Sequence, residues 1–223
     1  MWQNCTKYVI MQRFTDSVTD YILKHSSNPS DLLNELERET HLKILRPQMV
    51  SGQIQGKILE MISCMVQPEH ILELGTFTGY STLCLAKGLK QSGKIHTIDI
   101  NDELEDFAQS FFDRSEFKDK IEFHIGDARE IIPSFKQQFD LVFIDADKRQ
   151  YPEYYNLVFD KVISGGFIIA DDILWYGKVN EEVSENDTYT KGLIEFNSMV
   201  QADTRVENVI FPIRDGLNVI RKL

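Results

Sequence analysis

The sequence predicts an α/β fold built on a mostly parallel sheet with helices on both faces. From residue 70 onward, short apolar stretches alternate with segments of helical period. Those stretches are near-continuous rather than alternating, as in strands buried on both sides. Residues 1 to about 68 carry helical spacing and no convincing strand.

In the N-terminal segment Phe14, Val18, Tyr21 and Ile22 follow helical spacing. So do Leu32, Leu33 and Leu36 and, after a one-residue slip, His41 and Leu42. Asn28-Pro-Ser30 separates the two helices, with Ser30 or Asp31 as N-cap. A third helix starts near Ser51 and runs to Met65, with Ile54, Ile58, Leu59 and Ile62 on one face, and Pro68 closes it.

Strands are then predicted at Ile71–Leu74, Lys94–Asp99, Ile121–Ile125, Leu141–Asp145 and Phe167–Asp171. Helices fall between them, near 80–90, 102–114, 128–136 and 152–163, and Tyr189–Val200 is helical. Val206–Ile213 and Leu217–Arg221, separated by the turn-like Arg214-Asp-Gly216, are expected to pair antiparallel at one edge. With no repeat or linker, residues 1–223 are expected to form one domain, an N-terminal helical segment (1–68) and an α/β core (69–223).

At 223 residues and 42% hydrophobic the chain can bury a substantial core. A net charge of −11 disfavours a broad nucleic-acid or acidic-membrane surface and leaves only a small local one open. Cys5, Cys64 and Cys84 form no Cys-x-x-Cys pair, which fits reduced thiols in the cytoplasm. Cys64 and Cys84 sit among apolar neighbours and are expected in the core. The N-terminus lacks the pattern of a secretory signal, and no stretch is long and apolar enough to cross a membrane.

The most informative motif is Glu73-Leu-Gly-Thr-Phe-Thr-Gly-Tyr-Ser81, between an apolar strand and a helix. A glycine turn there lets a ligand approach the backbone. Asp99 ends the next strand, where an acid accepts hydrogen bonds from ribose hydroxyls. Together they point to an adenosine-containing cofactor. A dinucleotide fingerprint needs glycine at 75, 77 and 80, and this chain has Gly75, Phe77 and Tyr80. S-adenosylmethionine, with no phosphate and a positive sulfonium, suits an acidic pocket better. The competing structural reading is that Gly75 and Gly79 only shape a tight turn.

Asp145 ends the fourth strand, with Asp147 and Lys148 close behind, and Asp171-Asp172 ends the fifth. Adjacent parallel strands lie about 4.8 Å apart, so Asp145, Asp171 and Asp172 can converge. Their repulsion would be relieved by a divalent cation, and all-oxygen ligands favour Mg²⁺, Mn²⁺ or Ca²⁺ over zinc. Lys148 stands at the edge of that site, placed to accept a hydroxyl proton. The alternatives are that Asp145 or Asp147 caps the helix near Tyr151 and that Lys148 is a solvated charge. Trp175, Tyr176 and Tyr151 are candidates to line a slot for a planar substrate. The five histidines look scattered, with no zinc-type spacing.

In order along the chain, these motifs resemble the cation-dependent O-methyltransferases, the group of the catechol and caffeoyl-CoA O-methyltransferases. The resemblance spans Arg46-Pro-Gln-Met-Val-Ser51, the Glu73–Ser81 run, His96-Thr-Ile-Asp99, Gly126-Asp-Ala128, Ile144-Asp-Ala-Asp-Lys148, Asp171-Asp-Ile-Leu-Trp175 and Arg214-Asp-Gly216. It implies a class I S-adenosylmethionine-dependent methyltransferase (Rossmann-like) fold, with a seven-stranded, mostly parallel sheet and an antiparallel C-terminal edge strand. It implies S-adenosylmethionine and a divalent cation, usually Mg²⁺, as cofactors, and a homodimer. By resemblance Asp145, Asp171 and Asp172 bind the metal and Lys148 is the general base or positions the attacking hydroxyl. Ser51, Glu73, Gly75, Thr76, Ser81, Asp99, Ala128 and Asp147 contact the cofactor.

Two positions depart from the plant and animal pattern. Asp172 replaces an Asn, which adds charge and should tighten cation binding, and Tyr176 stands where the plant enzymes use an Asn for substrate. The chain looks closer to the bacterial branch. The expected substrate is a small catechol-like phenol. A hydroxylated uridine of transfer RNA, reached through a basic rim, stays open, as does a non-catalytic adenosine-binding role.

Overall fold

The structure, a computed structural model, describes residues 15–223. Its strands are β1 (His70–Leu74), β2 (Lys94–Asp99), β3 (Ile121–Ile125), β4 (Phe139–Ile144), β5 (Val162–Ala170), β6 (Val206–Phe211) and β7 (Leu217–Lys222). Its α-helices are α1 (Asp16–Lys24), α2 (Asp31–Lys43), α3 (Gly52–Val66), α4 (Tyr80–Ala86), α5 (Glu105–Phe112), α6 (Ala128–Ile131), α7 (Tyr151–Phe159) and α8 (Thr188–Ala202). The expected Phe14 and Cys5 positions lie outside the described residues.

The strands form a seven-stranded sheet in the order β3-β2-β1-β4-β5-β7-β6. β1 to β5 pair in parallel. The expected antiparallel pair closes one edge. Within it β7 runs against both neighbours, and β6 covers its outer side. The chain winds outward in both directions from β1 and β4, so the switch point lies between them, and a ligand crevice is expected beyond their carboxyl ends.

The period of two along each strand sends alternate side chains to opposite faces. Leu72, Ile98, Val142 and Ile144 pack on one face against Tyr151 and Tyr155 of α7 and Phe196 of α8. Ile71, Ile95, Leu141 and Phe143 pack on the other against Leu59 of α3, Leu83 of α4 and Phe112 of α5. Burial on both faces is why these strands read as unbroken apolar runs.

The element boundaries differ from the sequence expectation where glycine and proline intervene. β5 begins at Val162, inside the stretch expected to be helical, because α7 stops at Phe159 and Val162 pairs with Phe139. The expected 128–136 helix is α6 plus a 3₁₀ turn, Ile132–Ser134, at Pro133, which has no N–H to continue the ladder. β4 and β5 stop one residue short of the expected Asp145 and Asp171, which become the first loop residues.

α3 buries a different face from the one expected. Of Ile54, Ile58, Leu59 and Ile62 only Leu59 is fully buried, while Gln55, Gly56, Glu60 and Ser63 also turn inward. Small residues let α3 lie close to α4. A Cβ on Gly56 would meet Tyr80 Cε1 at 2.5 Å, and Ser63 Oγ donates to Leu85 O at 2.6 Å. Cys64 is therefore exposed rather than in the core, whereas Cys84 is buried as expected. Two of the five histidines do come together, since the β2–β3 register brings His96 beside Glu122 and His124. Among the described residues no helix is long and apolar enough to cross a membrane.

Gly88 ends the α4 segment against the backbone of α3. A Cβ there would lie 2.1 Å from Ser63 C and 2.4 Å from Cys64 N. Backbone cannot swing aside as a side chain can, so Gly88→Ala is expected to cost about 1–3 kcal/mol. Urea unfolding checks this: the midpoint should fall with no change in the denaturant dependence.

Candidate active site

The end of β1 is bonded to both neighbouring strands. Gly75 N–H donates to Ile98 O of β2 at 2.9 Å, and Asp145 N–H, just past β4, donates to Leu74 O at 2.8 Å. Gly75 has φ +99°, and a Cβ on it would lie 2.0 Å from Asp145 O. Both the dihedral and the space require glycine. The turn then bends through Phe77, itself at φ +49°, whose N–H donates to Asp99 Oδ2 at 2.7 Å. Asp99 Oδ1 accepts from Asn101 N–H at 2.9 Å. Two backbone amides thus fix the carboxylate on the cleft wall, with acceptor capacity left for a ligand.

Glu73 lies within β1 and is fully buried. Its Oε2 accepts from the Thr82 hydroxyl and, at 2.6 Å, from that of Thr97, while Oε1 has no partner. Burial pushes its carboxyl up to about 7 against the hydroxyls of Ser81, Thr82 and Thr97. Glu73 therefore sits beneath the turn and supports it, and is not part of the cleft lining. Thr76 is nearly as buried, its hydroxyl 2.6 Å from that of Thr97. Ser51, Gly75, Thr76, Ser81, Asp99, Ala128 and Asp147 all border the same cleft.

Asp127 N-caps α6 by accepting from Arg129 N–H at 2.9 Å, which presents Ala128 to the cleft. Asp147 caps the 3₁₀ turn Lys148–Gln150 in the same way and also binds the Arg149 guanidinium, which holds its carboxyl below the usual range. The expected capping of the helix at Tyr151 is not found, since Gln150 stands at its N-cap without a side-chain bond; Asp147 caps the turn before it while bordering the cleft.

One carboxylate oxygen from each of Asp145, Asp171 and Asp172 falls within 4.8 Å of the others. Lys148 is not a solvated charge. It is buried, with Nζ 2.7 Å from Asp145 Oδ1, 2.6 Å from Tyr151 Oη and 3.5 Å from Asp172 Oδ2. Burial disfavours its ammonium, but the charges of Asp145, Tyr151, Asp172 and Asp171 outweigh it and hold the pKa well above the usual lysine range. Asp171 also shifts upward: burial, then the charges of Asp172 and Asp145, raise its carboxyl well above the ordinary value. Three carboxylates against one ammonium leave a negative excess that a divalent cation would match. An all-oxygen donor set with two partly exposed members suits a hard ion such as Mg²⁺.

The contacts that support the site follow no spacing rule, although Arg214 belongs to the Arg214-Asp-Gly216 motif of the resemblance. Gln55 Nε2 donates to Asp171 Oδ2, and Arg214 Nη1 donates to Gln55 Oε1 and to Ser51 O, each at 2.5 Å. These partners are more than a hundred residues apart, so no local pattern could have found them. Asp215, read as part of a turn and of the Arg214-Asp-Gly216 motif but given no role, accepts from Tyr176 N–H at 2.7 and 2.9 Å. Burial pushes its carboxyl up to about 6. Of the slot candidates, Trp175 and Tyr176 line the cleft, and Trp175 stacks on Tyr189 at 5.9 Å between ring centroids. Tyr151 does not: it is fully buried in the core, its hydroxyl on Lys148.

The sequence profile of a family described as O-methyltransferase matches residues 23–223. A caffeoyl-CoA O-methyltransferase of Petroselinum crispum is 31% identical over 222 residues, covering 94% of this chain and 92% of that protein. Among solved structures, the O-methyltransferase from Bacillus cereus in complex with SAH superposes with a TM-score of 0.86 at 27% identity, over 93% of this chain and 97% of that one. The O-methyltransferase TomG from Streptomyces achromogenes, involved in tomaymycin synthesis and solved with SAM, gives 0.85 at 26% identity, over 92% and 96% of the two chains.

The raised Glu73 carboxyl predicts a pH dependence of stability. Its folded value of about 7 lies above the ordinary 4.5. Between those values the folded state binds more protons than the unfolded state, so stability falls as pH rises through the window and the loss is complete above it. The component is about 3 kcal/mol. Glu73→Gln removes it, so the variant should gain on the wild type between pH 4.5 and 8 in denaturant titrations. A pH-independent difference would remove Glu73 as the titrating group.

Proposed function

We propose, from the premise that the chain belongs to the O-methyltransferase family, that it methylates one hydroxyl of a catechol-like small molecule, using S-adenosylmethionine and a divalent cation. The observation that carries the metal-dependent reading is the convergence of Asp145, Asp171 and Asp172 around Lys148, beside the cleft that Gly75 and Asp99 border.

In this reading Asp99 receives the ribose hydroxyls, its carboxylate already oriented by Phe77 and Asn101 N–H groups. Gly75 gives close backbone approach, and Ser51, Thr76, Ser81, Ala128 and Asp147 complete the cofactor side of the cleft. The acidic walls match the positive sulfonium of S-adenosylmethionine, which supplies the methyl group. Asp145, Asp171 and Asp172 would hold the cation, Mg²⁺ by its preference for oxygen donors. When bound, such an ion makes a neighbouring hydroxyl more acidic. Lys148 takes the hydroxyl proton at Nζ once it is neutral. Its burial favours that form and the carboxylates oppose it, so offsetting their charge moves Lys148 toward the base. Trp175, Tyr176 and Tyr189 flank the planar substrate and fix its approach to the methyl carbon.

A homodimer is proposed on the apolar side chains left outside the core. Leu42, Leu45, Met49, Met61 and Met65, around α2 and α3, are each more than half exposed. A second copy covering them would give twice the chain mass in sedimentation, and a charged residue at Met65 should shift that mass toward the monomer. Absence of a bridged cysteine pair at Cys64 and Cys84 fits the cytoplasm.

Methyl transfer from labelled S-adenosylmethionine to a catechol panel tests the reaction. Transfer should be lost with excess chelator and restored by Mg²⁺. Asp145→Ala and Asp171→Ala should abolish turnover while cofactor binding survives, and normal turnover in both would sink the metal assignment. Lys148→Ala should lose most rate at low pH, where an unassisted hydroxyl stays protonated, and recover as pH rises. An unchanged pH–rate profile would assign Lys148 to positioning alone.

A further inference from the structure

A second cluster of ligand-type side chains lies within the sheet, away from the cleft. The β2–β3 register pairs His96 with Glu122 and Ile98 with His124, which puts all three polar residues on one face of two adjacent strands. His96 Nδ1 is 3.2 Å from His124 Nε2 and 3.3 Å from Glu122 Oε2. One ligand atom from each of the three lies within 4.8 Å of the others. At zinc–imidazole bonds of ~2.0–2.1 Å, tetrahedral neighbours stand about 3.3 Å apart. The two shortest separations, a ring–ring hydrogen bond and a His–Glu contact in this structure, also match those of ligands on one ion, which would replace the shared proton.

The surroundings are those of a built site. Lys94 Nζ lies 3.5 Å from Glu122 Oε1, leaving Oε2 on the histidine side. Gln137 Nε2 lies 2.9 Å from His96 Nε2, so its amide oxygen, after a half-turn, can accept from that ring nitrogen when Nδ1 is a ligand. Phe135 and Phe139 pack on His96 at 4.9 and 5.9 Å between ring centroids. Burial lowers the pKa of both histidines and so favours the neutral, ligating form. The Glu122 side chain is 44% exposed, which leaves an entry path and room for a water.

We propose that His96 Nδ1, His124 Nε2 and Glu122 Oε2 form a second metal site, selective for a borderline cation such as Zn²⁺, which staples the edge strand β3 to β2. Its two-nitrogen, one-oxygen donor set is of the open type that keeps a water in the fourth position. The all-oxygen cluster at the strand ends suits harder ions. None of the three ligands borders the cleft.

The test is zinc titration of the tag-free, chelator-treated full chain by calorimetry, with thermal unfolding as a second readout. The wild type and Asp171→Ala should each bind one zinc at this site with the same affinity and unfold at a higher temperature with zinc. Glu122→Gln, a near-isosteric change at a half-exposed position, and His124→Asn should both lose that zinc and its thermal shift. Gln137→Leu should weaken binding by about 10–100-fold, as outer-shell partners do. The proposal fails if the wild type binds no zinc, if Asp171→Ala abolishes binding, or if folded Glu122→Gln and His124→Asn bind as the wild type does.

Discussion

At the carboxyl ends of β1 and β4 the backbone of Gly75 passes so close to Asp145 O that a Cβ could not be placed between them. This contact sits at the switch point of the sheet, where the loops of the two halves diverge. On one side the chain runs through Phe77 to α4, with Asp99 pinned beneath it. On the other it runs through Asp145 to Lys148 and α7. The nucleoside side of the cleft and its acidic side are therefore held by one backbone crossing. Their separation is set by main-chain geometry rather than by adaptable side chains. Glu73, fully buried and holding Thr82 and Thr97 together, supports that crossing from below.

The acidic side is held in place by opposing demands on charge. Lys148 is buried among three carboxylates and a tyrosine hydroxyl, whose charges hold its proton against the cost of burial. Gln55 and Arg214 pull Asp171 toward α3, and Asp172 is turned back by its positive φ. A non-glycine residue in that conformation stores a little strain, tolerated where the surroundings fix it. The outcome is a set of oxygen atoms gathered before any ion arrives, which reduces the reorganisation that binding would require.

Much of this was legible in the sequence because the governing forces are local or periodic. β2 and β3 matched their apolar runs residue for residue, and Asp145 and Asp171 were marked by their places at strand ends. The same logic failed where packing is set by small residues. α3 approaches α4 through Gly56 and Ser63, so its isoleucines, which dominate a hydrophobicity reading, are left half-covered. Tyr151 illustrates another limit. An aromatic near a strand end is either slot or core, and only the position of α7 against α8 decides for core. Gln55 was invisible, and Arg214 was visible only as part of a motif without a role, because their partners are distant in sequence and no spacing rule links them. His96 was passed over for a related reason: its ligand-like neighbours lie across a strand pair, and register is not readable from one strand alone.

The two polar clusters also differ in the electrostatics that built them. At the strand ends carboxylates face one another, with Lys148 as partial compensation, so the unmet demand is for charge. Between β2 and β3, two imidazoles bonded to each other lie beside a single carboxylate that Lys94 already approaches, so that cluster offers nitrogen lone pairs with little excess charge. A hard divalent cation gains most from the first environment and a borderline one from the second. Affinity order alone would let zinc compete for both sites. Donor type and net charge separate them, which allows an ion at the sheet edge to stabilise β3 without entering the cleft where a substrate hydroxyl would be activated.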